Sequence, residues 1–128
     1  MRLLLDTHLL LWAAVEPKRL SRRAVAFMDD PDNELLFSAA SLWEVALKQA
    51  KAGAGSGMDA RLLRRNLRTS NYEELPVTSE HAIAVVDLPS LHQDPFDRLL
   101  IAQCIVEGIT LLTADRMVAR YQGPIQRV

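Results

Sequence analysis

Short apolar runs alternate with helix-like segments along almost the whole chain, and two of these runs end on an aspartate. Leu3-Leu4-Leu5 precedes Asp6, and Leu111-Leu112-Thr113-Ala114 precedes Asp115. A run this brief is too short for a helix and reads as a strand buried on both faces. The segment after Asp6, 7 to 15, reads as a helix that Asp6 or Thr7 can cap, and Pro17 breaks it. A second helix follows Ser21, and Asp30-Pro31-Asp32-Asn33 is a turn. Residues 34–38 form the second strand candidate, and Ser38 caps an apolar helix from 39 to about 51. After the glycine-bearing stretch 53–57, helical spacing resumes from about 58 to 70. An extended piece spans 72–77, and Thr78 caps a helix to about 87. Asp94-Pro95-Phe96-Asp97 opens another helix, with an N-cap acid, proline at the first helical position and an acid in the first turn. Gly108 ends it. A strand at 110–113, a short helix at 115–121 and a last edge strand at 124–128 complete the chain. Strands alternating with helices predict an α/β domain, a mostly parallel sheet covered on both faces.

With 128 residues, one domain spanning 1–128 is expected, and such a chain buries roughly two-thirds of its unfolded surface. Apolar residues make up 49 % and charged residues 24 %, which is globular rather than disordered. No apolar run approaches the ~20 residues of a membrane span, and Asp6 interrupts any leader-like core at once. The single cysteine, Cys104, lies in an apolar helical pattern and reads as a buried, inert thiol. A cytoplasmic setting is expected. The net charge of −1 argues against a generic nucleic-acid coat.

Asp6, Glu44, Asp97 and Asp115 stand at or inside apolar segments. A charge there is costly unless compensated, and carboxylates that converge repel each other until a hard cation relieves them. Each has a simpler role. Asp6 and Asp115 can be helix caps. Glu44 shares a helical stripe with Ser41, Lys48 and Lys51, which suits an ordinary solvated face with an i,i+4 ion pair. Asp94 fits best as the N-cap ahead of Pro95. His8, His81 and His92 lack the paired spacing of a zinc site, and no glycine-rich phosphate loop is present. Arg61, Arg64, Arg65 and Arg68 occupy one helical face opposite Leu62, Leu63 and Leu67. This stripe suits a solvated surface, RNA phosphates or an acidic partner segment.

Four segments together resemble the PIN-domain family, in its VapC-type toxin branch. They are Leu3-Leu4-Leu5-Asp6-Thr7-His8, Phe37-Ser38-Ala39-Ala40-Ser41-Leu42-Trp43-Glu44-Val45, His92-Gln93-Asp94-Pro95-Phe96-Asp97-Arg98 through Ala102, and Leu111-Leu112-Thr113-Ala114-Asp115. The resemblance implies a three-layer α/β/α fold around a parallel sheet. It implies a ribonuclease dependent on Mg²⁺ or Mn²⁺, with Asp6, Glu44, Asp97 and Asp115 as catalytic and metal-holding residues. Thr7, Ser41, Asp94 and Thr113 would support them. It further implies hydrolysis by activated water, a homodimer, and a cognate antitoxin that covers the site.

This chain departs from the family pattern in two places. The stretch 53–57 is looser than the expected connector, and no second acid closely follows Asp115, which points to one metal rather than two. A catalytically silent binding module is the main rival. An aspartyl-phosphate signalling domain is disfavoured because no lysine follows Lys51, and a haloacid-type phosphatase because His8 stands where a second aspartate is needed.

Overall fold

The computed structural model describes residues 1–53 and 57–128. The connector expected at 53–57 therefore falls largely outside the described residues. Five strands form one sheet in the order β3-β2-β1-β4-β5: β1 (Arg2–Leu5), β2 (Glu34–Ser38), β3 (Glu73–Leu75), β4 (Thr110–Thr113) and β5 (Ile125–Arg127). Every pairing is parallel, with Leu4 opposite both Leu36 and Leu111. Helices α1 (Thr7–Val15), α2 (Arg22–Asp29), α3 (Ala39–Ala52), α4 (Ala60–Thr69), α5 (Ser79–Ala84) and α6 (Pro95–Glu107) flank it.

The unbroken leucine run of β1 follows from this layering. Strand side chains alternate between faces, and here both faces are covered. Leu4 joins Leu36, Leu100, Ile101, Cys104 and Leu111 on one side. Leu3 and Leu5 join Leu9, Leu10, Phe37, Leu63, Leu67 and Leu112 on the other. The three-layer α/β/α architecture is as expected. Burial pushes the Cys104 thiol far above its ordinary value, so it stays protonated.

Some helix bounds differ from the sequence expectation. No α-helix forms over 115–121. The Asp115 carboxylate does accept from Met117 N at 2.7 Å, as a cap would, but only a single tight turn, Val118–Arg120, follows. The helix after Thr78 stops at Ala84 and continues as a 3₁₀ turn, Val85–Asp87. Helix α4 begins after Asp59, which caps it through Arg61 N and Leu62 N. Leu63 and Leu67 are buried beneath α4 as expected, but Leu62 is exposed.

Helices α1, α3 and α6 start at the carboxyl end of the sheet, which is where open α/β sheets bind ligands. Asp6 caps α1, Ser38 caps α3 and Asp94 caps α6. Their N-terminal dipole ends favour negative charge nearby.

Candidate metal-dependent active site

Asp6 is both a cap and a site residue. Its Oδ1 accepts from Leu9 N at 2.9 Å, and its Oδ2 accepts from the Thr113 hydroxyl. Thr113 is the last residue of β4, and its oxygen also accepts from Asp115 N at 3.0 Å. One threonine thus ties both strand-end aspartates together. Burial pushes the Asp6 carboxyl above its ordinary value, against the hydrogen bonds from Thr113 and Leu9, and Asp115 adds to the rise.

Glu44 is the residue whose simpler role fails. The Lys48 ion pair exists at 2.9 Å, but the Glu44 side chain is buried, 4 % exposed, rather than solvated. Its Oε1 is a buried polar atom without a partner, the one such side-chain atom among the described residues. A buried carboxylate oxygen left unpaired costs several times an ordinary hydrogen bond. Beside it, Thr7 donates to the Ser41 hydroxyl at 2.9 Å, and all three residues are buried.

Asp97 projects from the first turn of α6. Its carboxyl is pushed up to about 6 by burial and by the negative charges of Asp94, Asp6 and Glu44, against the hydrogen bond from His92. The four expected acids therefore share one electrostatic neighbourhood, though not one tight knot. Among the described residues, the group whose ligand atoms all lie within 4.8 Å is His92, Asp94 and Asp97. Asp94 is the expected cap, accepting from Phe96 N and Asp97 N, but it also stands beside the site.

Sequence reasoning missed His92, whose Nε2 lies 2.8 Å from Asp97 Oδ2. Its loop is held by Arg98, which donates to the carbonyls of Val85, Leu88 and Pro89 and to the Tyr121 hydroxyl. Tyr121 in turn accepts from His92 N at 3.0 Å. The spacing His92-x-Asp94-x-x-Asp97 was the available signal. Nothing in spacing alone shows which way the loop turns.

Arg61, Arg64, Arg65 and Arg68 stand apart from this cluster, lining one exposed recess with Thr69. The sequence shows no acid on that face, but the fold supplies one: Arg64 pairs with Glu74 of β3 at 3.3 Å.

The PIN domain family model matches residues 3–124. The chain belongs to the PIN-domain family. It is 31 % identical to Ribonuclease VapC22 of Mycobacterium tuberculosis over 94 % of this chain and 92 % of that one. Its fold resembles VapBC2 from Rickettsia felis bound to a promoter DNA fragment, with a TM-score of 0.74, 16 % identity and coverage of 100 % and 99 %. It also resembles DNA-bound VapBC from Salmonella typhimurium, with a TM-score of 0.65, 16 % identity and coverage of 99 % and 98 %. The motif-based PIN assignment and the α/β/α expectation both hold. No described helix is long and apolar enough to cross a membrane.

Two carboxyls of this PIN domain, Asp6 and Asp97, protonate more readily folded than unfolded. An acid whose folded pKa is raised binds its proton more tightly in the native state. Its contribution to stability is therefore complete at low pH. For Asp97 it fades as pH rises from the ordinary value of 3.8 through about 6. With chelator present, the melting temperature is expected to fall by several degrees between pH 5 and pH 7.5. A divalent ion should narrow that gap. Equal melting temperatures at both pH values would mean these carboxyls are not under electrostatic stress.

Proposed function

We propose that this chain is a metal-dependent endoribonuclease, the toxin of a toxin–antitoxin pair. Asp6, Glu44, Asp97 and Asp115 would hold Mg²⁺ or Mn²⁺, and Thr7, Ser41, Asp94 and Thr113 would support them. The unpartnered Glu44 oxygen, buried beside a stressed Asp97, carries this reading. A cation there would satisfy the orphaned oxygen and offset the burial and the neighbouring negative charges that raise Asp97, so the residues fit a hard divalent ion. The kinship with a protein named as a ribonuclease supports RNA as substrate.

When bound, such an ion lowers the pKa of a coordinated water and stabilises charge on a phosphate. The chain's own residues supply the rest. Thr113 fixes the Asp6 carboxylate, His92 fixes Asp97, and the dipole ends of α1, α3 and α6 draw in the anionic backbone. The likeness to VapBC assemblies supports a cognate antitoxin. An apolar recess of about 240 Å³ lined by Thr7, Leu11, Val45, Lys48 and Met58 offers that partner a foothold next to the acids. A homodimer and a cytoplasmic setting complete the proposal.

The test uses purified, antitoxin-free protein on total RNA. Cleavage should vanish with EDTA and return with Mg²⁺ or Mn²⁺. Equal cleavage with and without chelator would remove the metal from the proposal. Antitoxin and RNA binding without cleavage in any condition would leave a silent binding module.

The arginine recess on α4 is assigned to RNA phosphates. Replacing Arg61 and Arg65 with Gln should weaken RNA binding and flatten its salt dependence by roughly one to two counterions. Fold and metal affinity should not change. If antitoxin affinity falls instead while RNA binding holds, the recess serves the antitoxin.

A further inference from the structure

His92, Asp94 and Asp97 form a compact trio at the start of α6. One ligand atom from each lies within 4.8 Å of the other two. His92 Nε2 is 2.8 Å from Asp97 Oδ2. That is close to the ~3 Å that metal–ligand bonds of about 2 Å set between adjacent ligands on one ion. Both cap bonds of Asp94 fall on its Oδ1, and the carboxylate has a second oxygen to offer. The imidazole is not a loose surface group: its side chain is 20 % exposed and that of Asp97 13 %. The Tyr121 hydroxyl grips the His92 backbone from both sides, accepting from its N–H and donating to its carbonyl. Arg98, next to Asp97, donates to that tyrosine and to the carbonyls of Val85, Leu88 and Pro89. A ring held this way loses little further freedom when it takes a ligand. A third carboxylate bears on the trio. Glu44, with its buried and unpartnered Oε1, is among the charges that act on Asp97.

We infer that His92, Asp94 and Asp97 form a site for a transition ion of the Zn²⁺ class, with His92 Nε2 and one oxygen of each aspartate as ligands. The nitrogen decides the class of ion. Mg²⁺ takes oxygen ligands and keeps several waters, whereas imidazole suits Zn²⁺ and its neighbours. Three protein ligands and an open fourth position make a Zn²⁺ arrangement that leaves room for water. An ion there replaces the proton that Nε2 and Oδ2 share. A site with a single histidine escapes a search for paired histidine spacing, so the sequence did not mark it. It shares Asp97 with the four acids proposed above for Mg²⁺ or Mn²⁺, but it stands on metal binding alone and not on RNA cleavage. The competing role for His92 is to orient Asp97 by a hydrogen bond and nothing more.

The test uses the full chain stripped of metal. Titrated against a chromophoric chelator, it should bind Zn²⁺ about a hundredfold or more tighter than Mg²⁺. Co²⁺, a coloured stand-in, should give visible absorption that added Zn²⁺ bleaches. His92→Gln keeps a hydrogen-bond donor toward Asp97 but offers no imidazole. It should weaken Zn²⁺ binding about a hundredfold, remove most of the Co²⁺ absorption and leave Mg²⁺ binding unchanged. Asp94→Asn keeps the cap and should weaken Zn²⁺ about tenfold, with circular dichroism as the folding control for both variants. Unchanged Zn²⁺ affinity in His92→Gln would overturn the site and put the ion elsewhere, at the exposed His8 for instance. Equal losses of Zn²⁺ and Mg²⁺ binding in His92→Gln would also overturn it, being the mark of a residue that only orients Asp97. EDTA-sensitive RNA cleavage together with either of those results would leave the nuclease proposal standing without this site. Zn²⁺ binding that depends on His92, in a chain that cleaves no RNA, would leave the site standing and end the nuclease proposal.

Discussion

Asp6→Asn is expected to abolish most RNA cleavage, on the order of a thousandfold, with the fold intact. Removing one anionic ligand of a catalytic ion forfeits several kcal/mol of transition-state charge stabilisation. Asparagine remains a good N-cap, so the α1 cap from Asp6 to Leu9 N survives and folding is not the cause. The informative contrast is Asp94→Asn. The Asp94 Oδ1 already serves two backbone N–H groups, and asparagine serves them too, so a loss of about tenfold or less is expected. Asp94→Ala should instead cost ~1 kcal/mol of stability as a lost cap. Initial rates on a defined RNA, with circular dichroism as the folding control, decide the matter. If Asp94→Asn proved as inactive as Asp6→Asn, Asp94 would have to be counted with His92 and Asp97 as a ligand in its own right.

Gln103→Leu is expected to destabilise the protein by about 2–3 kcal/mol, although position 103 touches none of the acids. Gln103 is fully buried at the centre of a polar chain. Its Oε1 accepts from Ser38 Oγ at 2.6 Å, and its Nε2 donates to the Pro76 carbonyl at 3.3 Å. His81 lies alongside, its Nδ1 accepting from Thr78 N at 3.0 Å and its Nε2 meeting Glu107 at 2.7 Å. Leucine keeps the volume but strands the Ser38 hydroxyl, which also caps α3. Because α3 carries Glu44, some activity should go with the stability. Urea denaturation measures the loss. A double mutant with Ser38→Ala should cost less than the sum of the two single changes, because both remove the same bond. A loss under ~0.5 kcal/mol in Gln103→Leu would show that water replaces the amide there.

The strands and caps were readable because their signals are local. Leu3-Leu4-Leu5 has no polar break, Asp94-Pro95 marks a helix start in two adjacent residues, and Gly108 indeed adopts the left-handed conformation at φ 68°. The acids were readable as charges in apolar surroundings. The four motifs that carried the family resemblance are the same segments that form β1, the start of α3, the start of α6 and β4. The tertiary facts were not readable. His92 meets Asp97 only because Arg98 folds the loop back, and His81 of α5 is buried only because α5 packs against α6. Glu44 followed the pattern of a surface residue, with a lysine four positions on. That pairing did form, and burial of one partner is what the sequence hid. The segment after Asp115 misled because its start signal is real: the carboxylate accepts from Met117 N and Val118 N as a cap does, yet only one 3₁₀ turn, Val118–Arg120, follows before the chain runs into β5.

The strand order has a consequence for how such a chain is born. β1, the first strand made, pairs with β4, and Asp6 waits for a threonine 107 positions later. Residues 110–113 must therefore leave the ribosome before the two halves of the site can meet, and contacts this distant in sequence form slowly. Nascent chains and products of premature termination contain Asp6 and Glu44 but lack the strand that sets Asp6 in place. The site would thus be completed only once β4 has been made and has paired with β1.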